Sequence, residues 1–378
     1  MTGYAHDDNI AAWLPGLRRP LEVRSAGTPE PGRGQIVIRA RAVAVNPLDW
    51  IIQSAGNLAY RWLRYPTVLG TDVAGEVAAV GTGVTRFKVG DRVIGFADGT
   101  DKDTNAAARG AFQRYVVVLE RLACPISDAL PYERAAVLPM AVSTASSALF
   151  QTDFLGLQLP CAEPEPRDQA LLVWGGSTSV GSNAIQLAVA AGYQVITTAS
   201  PHNHDYVRSL GAHHAFDYNQ PDVTEEICSV LDGHTFAGAM AIGTTATRHC
   251  LTVASRSTGR RFVAIATPPV SFAGLANETG RRAETRRVVC RLVASNIGLQ
   301  LRARTRRVTL KYIWGSSLKH NEVSHAIFGE FLPAALADGR YRTVPEPLVV
   351  GTDYSALQHA LDTQRNGVSA QKVVVTLP

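Results

Sequence analysis

Between Gln169 and Ala199 the chain reads QALLVWGGSTSVGSNAIQLAVAAGYQVITTA, and its glycines and hydroxyls are spaced to cradle a diphosphate. Gly175, Gly176 and Gly181 let backbone approach an anion, and Thr178, Ser179 and Val180 between them are too small to obstruct it. A helix starting at this turn aims unpaired N–H groups and the positive end of its dipole at the negative charge. The spacing is Gly-x-x-x-x-Gly rather than the strict Gly-x-Gly-x-x-Gly of the best-known dinucleotide turn.

The residues downstream select among dinucleotides. A site for the unphosphorylated cofactor places Asp or Glu at the end of the next strand, to accept from the ribose 2′-OH. Here Thr198-Ala199 runs into Ser200-Pro201-His202-Asn203-His204, with no carboxylate before Asp205. Hydroxyl, imidazole and amide groups suit a 2′-phosphate, and Tyr218 can pack beside the adenosine. The pattern points to NADPH rather than NADH; the alternative is a helix cap followed by surface loop.

The elements that must hold this turn are legible around it. Residues 170–174 form an apolar run of buried-strand type, Ala184, Ile185, Leu187, Ala188 and Ala191 recur at helical spacing, Gly192 closes the helix, and 194–198 is β-branched. Together they make one βαβ unit. Further strands are expected at 236–242 and 261–266. Before this region, 35–45 alternates as a strand does, and 72–80, 92–95 and 111–118 follow, punctuated by Gly81, Gly83, Gly90 and Asp91. Many short strands between glycine turns describe a β-rich, barrel-like domain. Near the C-terminus a helix around Phe328–Leu336, a strand at 348–350, a helix over 354–364 and a strand over 372–377 are expected to fold back onto it.

At 378 residues the chain exceeds one hydrophobic core, so two domains are expected: 1–155 with 325–378, and 156–324. With 46% hydrophobic and 18% charged residues it reads as a soluble globular protein. No apolar stretch nears the ~20 residues of a membrane span, and MTGYAHDDNIAAW has no leader pattern, so a cytoplasmic, membrane-free protein is expected. Cys124, Cys161, Cys228, Cys250 and Cys290 are scattered, without CxxC spacing, and read as buried reduced thiols. The net charge of +5 is concentrated at Arg281, Arg282, Arg286, Arg287, Arg291, Arg302, Arg304, Arg306 and Arg307. Such a cluster can meet an acidic partner or nucleic acid; a solvated helix face is the preferred reading, and no nucleic acid is expected.

The order of motifs resembles the medium-chain dehydrogenase/reductase superfamily. The resemblance is carried by Asn46-Pro47-Leu48-Asp49-Trp50, Leu69-Gly70-Thr71-Asp72-Val73-Ala74-Gly75-Glu76-Val77, Phe87-Lys88-Val89-Gly90-Asp91-Arg92-Val93, Gly110 to Tyr115, the glycine turn, and Gly367-Val368-Ser369-Ala370-Gln371-Lys372. It implies a GroES-like barrel domain beside a Rossmann-type doubly wound parallel sheet, with a substrate cleft between them. Leu138 to Ala145, Ser200 to Asn203 and Gly367 to Ala370 look most like the trans-acting enoyl reductases of fungal polyketide assembly lines.

That likeness implies an NADPH-dependent reductase of an activated double bond, on a free or carrier-tethered polyketide, with a polyketide synthase as possible partner. It places Thr144 beside the nicotinamide, Tyr60 as a candidate proton donor with Tyr65 in the same loop, and Asp49, Val368 and Ser369 among the cofactor-binding residues. Zinc-dependent members carry Cys and His where this chain has Asn46-Pro47 and Gly70-Thr71-Asp72, and residues 96–110 lack the four-cysteine lobe. No metal is therefore expected. Enoyl reductases of this group also carry a lysine directly after Asp-Trp, where this chain has Ile51. Either the donor has moved or the chemistry has, which leaves three readings: enoyl or enone reductase, quinone or aldehyde reductase, or a non-redox isomerase, cyclase or binding protein. Thr267-Pro268-Pro269 and the basic segment beyond do not read as a sheet edge, so a monomer is expected.

Overall fold

The computed structural model describes residues 8–276 and 281–378. The first seven residues, part of the segment read as lacking a leader, lie outside the described residues, as do the side chains of Arg281 and Arg282. The chain forms two compact units: a split one, up to Met140 with Lys319–Pro378, and a nested one, Ala141–Leu318.

The split unit is built on the ten-residue strand Gln35–Ala44, whose alternation buries Ile36, Ile38, Ala40, Ala42 and Ala44 completely. Asp72–Val80 pairs antiparallel along one of its edges. Tyr115–Leu119 pairs with residues 35–39 and Gln371–Thr376 with residues 42–44, so the seven-stranded sheet branches at this strand and curls. Glu346–Gly351 extends it beyond Gln371–Thr376, while Arg92–Phe96 and Ala123–Pro125 continue it past Asp72–Val80. The expected strand over 111–118 begins only at Tyr115. Residues before it are held as a loop, because the N–H groups of Ala111 and Phe112 go to Gly70 and Leu69 carbonyls and the Gln113 amide donates to Ala107 and Gly110.

In the nested unit six parallel strands lie in the order His214–Phe216, Gln194–Thr198, Gln169–Trp174, Thr235–Ala241, Phe262–Ile265, Thr309–Tyr312. The apolar runs read from sequence supply the middle four, whereas the edge strand Thr309–Tyr312 has no such signal. It is short, and Arg306-Arg307 directly before it read as solvated charge. Helices Ser179–Val189, Val223–Leu231 and Ala246–Arg256 connect the strands. Trp174, Phe236, Leu251 and Val263 share one buried cluster of this unit.

The units divide after Met140 and after Leu318, not at 155/156 and 324/325. Side chains beyond Met140 are committed to the nested unit: Ser143 and Ser147 hydroxyls donate to the Gly315 carbonyl, Gln151 bonds Ser317, and Phe154 packs on Phe262 at 6.2 Å. Lys319 is committed to the split unit by Asp101, at 3.0 Å, and Asp98, at 3.6 Å. Cys124 and Cys250 are buried as expected, but Cys161 lies exposed in a proline-rich loop and Cys290 on the outer side of a helix, correcting the reading that all five are interior. Among the described residues no helix is long and apolar enough to cross a membrane.

Candidate active site: a dinucleotide cradle and a buried charge cluster

The turn after Gln169–Trp174 leads into helix Ser179–Val189, as the spacing predicts. Thr178 is the helix cap: its hydroxyl donates to the Gly175 carbonyl at 2.7 Å and accepts from Gly181 N–H at 3.0 Å. A Cβ at Gly176 would lie 2.1 Å from Thr197 Oγ1, and one at Gly181 2.2 Å from the Gly175 carbonyl oxygen. Glycine is thus required for the turn to close this tightly, which lets its backbone approach a ligand. Ser179 Oγ is buried with no hydrogen-bond partner among the described residues. An orphaned hydroxyl at a helix N-terminus, beside half-buried Val180, fits a diphosphate acceptor.

At the ribose end, the parallel register pairs Thr198 with Phe216, and this sets Ser200 opposite Tyr218. Their hydroxyls are 2.9 Å apart, Tyr218 being 42% exposed. Ser200 makes no cap bond to the turn Pro201–Asn203, so the plain helix-cap alternative is not how its side chain is used. The side chains of exposed His202 and buried Asn203 meet at 3.3 Å. Two hydroxyls, an imidazole and an amide therefore gather where a carboxylate would reject a phosphate.

Thr144 lies on helix Pro139–Phe150. Its neighbours Ser143 and Ser147 are spent on the Gly315 carbonyl, whereas the Thr144 hydroxyl makes no hydrogen bond among the described residues. It is not the threonine that satisfies itself on its own helix. A Cβ at Gly315 would come within 2.8 Å of Thr144 Oγ1, so Gly315 keeps that hydroxyl uncovered from its side. Nothing in the sequence singles out Gly315, and only its contact across the fold reveals it.

The remaining predicted residues belong to the split unit and have different surroundings. Asp49 is fully buried; one carboxylate oxygen accepts from Asn46 N–H at 2.8 Å and the other from Gly70 N–H at 3.1 Å. A group with no exposed surface cannot touch a cofactor. Asp49 instead fastens the start of helix Pro47–Ala59 to the Gly70 turn, which corrects its assignment as a cofactor-binding residue. Burial pushes its carboxyl up to about 7, with Asp72 adding to the rise and the two backbone donors and Lys372 opposing it. Tyr60 is also buried, 5.2 Å from the Trp62 ring, and burial with nearby Asp49 and Asp101 holds its phenol protonated well beyond the usual range. Such a group donates hydrogen bonds but is a poor acid. Val368 is half-buried and Ser369 exposed in the turn before Gln371–Thr376.

Lys372, which by sequence reads as a possible strand-edge charge, is 3% exposed. Its ammonium lies 3.0 Å from Asp72 Oδ2 and donates to Asn46 Oδ1. Asn46 in turn donates to Asp72 at 2.8 Å and Thr71 at 2.9 Å, and Asp72 accepts from Met140 N–H at 2.5 Å. These are the places where zinc-dependent members carry metal ligands. An amide, a hydroxyl and a carboxylate already neutralised by lysine do not fit zinc, which takes thiolate and imidazole. Among the described residues no three His, Cys, Asp or Glu side chains gather into a metal-holding group.

Comparison with known proteins agrees with both units. Residues 32–128 match the alcohol dehydrogenase GroES-like domain and residues 179–264 the zinc-binding dehydrogenase family. The dehydrogenase pigH of Monascus ruber is 46% identical over 98% of this chain and 99% of its own length. The trans-enoyl reductase himH of Aspergillus japonicus is 39% identical over 98% of this chain and 97% of its own. Among solved structures, an alcohol dehydrogenase superfamily protein from Novosphingobium aromaticivorans aligns with TM-score 0.71 at 25% identity, covering 98% of this chain and all of that one. A curled GroES-like sheet, a Rossmann-type parallel sheet and full-length relatives together make this chain a member of the medium-chain dehydrogenase/reductase superfamily of oxidoreductases.

Proposed function

We propose that the chain is a zinc-independent, NADPH-dependent reductase of activated carbon–carbon double bonds, acting on polyketide-type enoyl or enone substrates, free or tethered to a carrier. The observation that carries the cofactor choice is the Ser200–Tyr218 hydroxyl pair at the end of Gln194–Thr198, with His202 and Asn203 beside it and no carboxylate. The substrate class is supported by relatives named trans-enoyl reductases, in Aspergillus japonicus and, at 33% identity over 98% of this chain, in Aspergillus flavipes.

Bound NADPH supplies the hydride in this reading. The chain's residues do the rest: Gly176, Ser179, Val180 and Gly181 hold the diphosphate, Ser200, His202, Asn203 and Tyr218 the 2′-phosphate, and Thr144 offers its uncommitted hydroxyl to the reacting end. Reduction of a conjugated double bond leaves charge on the carbonyl oxygen, which a hydroxyl donor stabilises without a metal.

The test is a titration of NADPH against NADH on the wild type and on Ser200→Asp. Preference for NADPH that falls about tenfold or more in the variant, the effect of roughly 1.4 kcal/mol of charge repulsion, is expected. Equal affinity for the two cofactors sinks the assignment. Turnover with deuterated NADPH, on enones, enoyl thioesters, quinones and aldehydes, then separates double-bond reduction from the quinone or aldehyde alternative, and absence of deuterium transfer leaves the non-redox reading.

A further inference from the structure

Helix Arg281–Thr305 is 25 residues long and buries one narrow face, with Val288 and Ala303 inside and Leu292, Ser295 and Leu299 half-buried. Val293, Ile297 and Leu301 point elsewhere. They are 51%, 55% and 58% exposed, and at 3.6 residues per turn their spacing of four makes one stripe, roughly 160° around the helix from the buried face. Exposed Arg286 and Cys290 continue the stripe at one end and Arg304 at the other, and exposed Arg287 stands roughly 80° round from it. Seven arginines stand in this helix against one acid, Glu284, which pairs with Arg287 at 3.6 Å. Tyr312 and Trp314, 39% and 42% exposed, widen the apolar surface at the sheet edge; the Tyr312 hydroxyl donates to Asn296 at 2.6 Å.

A helix that merely faced water would carry polar side chains there. An aliphatic stripe set among cations is complementary to a protein surface with an apolar ridge and an acidic rim. A nucleic acid would satisfy the arginines but leave three aliphatic side chains uncovered, since it offers phosphates and flat bases. A lipid surface would favour charge on the flanks of a helix that is apolar along its whole length, whereas arginines here close off both ends of the stripe. We propose that this face docks an acidic carrier domain bearing the substrate as a thioester. This rests on the double-bond reductase reading and names the partner from which that substrate would be taken.

The experiment uses the full chain and a purified, fluorescently labelled holo acyl carrier domain, with binding followed by anisotropy at low and high salt. Ile297→Glu and Arg304→Glu are compared with the wild type. Each change is on an exposed side chain, and NADPH-dependent reduction of a free enoyl thioester by each variant reports that the fold and the active site are intact. The proposal expects wild-type binding that weakens with salt, and at least tenfold weaker binding in both variants with turnover of the free thioester unchanged. Reduction of the free thioester without carrier binding overturns the docking proposal and leaves the function standing. So does carrier binding that neither variant alters. Self-association lost in Ile297→Glu, or binding of an RNA oligonucleotide or anionic phosphatidylserine vesicles in place of the carrier domain, overturns it in favour of that occupant. Carrier binding abolished by the variants, in a protein that reduces no thioester, overturns the function reading alone.

Discussion

In the nested unit polar groups stand open: at the glycine turn Thr178 is spent on the backbone but Ser179 Oγ has no partner among the described residues, and neither has the Thr144 hydroxyl on helix Pro139–Phe150. In the split unit Asn46, Asp49, Asp72 and Lys372 are each buried and bonded to one another or to backbone amides. Both regions carry polar groups, yet in one they stand open and in the other they are closed on each other. The difference lies in what occupies the positive role. The turn ends in a helix N-terminus, the kind of place that suits an anion, whereas in the cluster the lysine is already the cation.

Removing that cation should have the largest effect. Lys372→Met leaves Asp72 charged and unpaired in the interior, and about 3–5 kcal/mol of stability should be lost. Urea denaturation measures it, and adding Asp72→Asn should recover part of the loss; equal stability of wild type and Lys372→Met would show that the cluster is not closed. In the nested unit Gly181→Ala should cost about 1–3 kcal/mol by overpacking against the Gly175 carbonyl and weaken dinucleotide binding, seen by calorimetry and by cofactor titration.

A smaller, pH-dependent effect comes from Asp49. Its folded pKa, about 7, exceeds the unfolded value near 4, so between them the folded protein binds the extra proton. Stability should therefore fall as pH rises through that window, by up to about 1.4 kcal/mol per pH unit. Urea melts across the window should show a shallower fall in Asp49→Asn, and an unchanged slope would remove Asp49 as its source. Smallest of all, Tyr218→Phe removes one hydroxyl from the open site, and NADPH affinity should drop about threefold to tenfold while NADH affinity stays the same.

What is legible in the sequence follows the same division. The cradle is local: strand, turn, helix and return strand lie within about thirty consecutive residues, and their periodicity alone places Gly176, Gly181 and Ser200. The charge cluster joins Asn46 to Lys372 across 326 positions, and no local pattern carries that pairing. Sequence shows only half of it, Asn46 and Thr71-Asp72 at the places where zinc-dependent members of the superfamily carry their ligands, without the lysine that completes the cluster. Asp49 reads as facing a cofactor because its motif neighbours a site, but its two oxygens are already claimed by amides. Thr309–Tyr312 escapes sequence reading because four residues after a run of arginines carry too little alternation to register as a strand.

Pairing between Gln35–Ala44 and Gln371–Thr376 also sets an order of assembly. A growing chain makes Ala141–Leu318 in one continuous stretch, and every strand of its parallel sheet exists before Lys319 is added. The split unit must wait: Asp72 is synthesised early and has no counter-ion until Lys372 emerges, and the Asn46 side-chain carbonyl lacks its donor until then. The nested unit can thus be a finished body while the split one is still an open sheet with an unpaired edge and an unneutralised acid, the stage at which this protein most needs shielding from its neighbours.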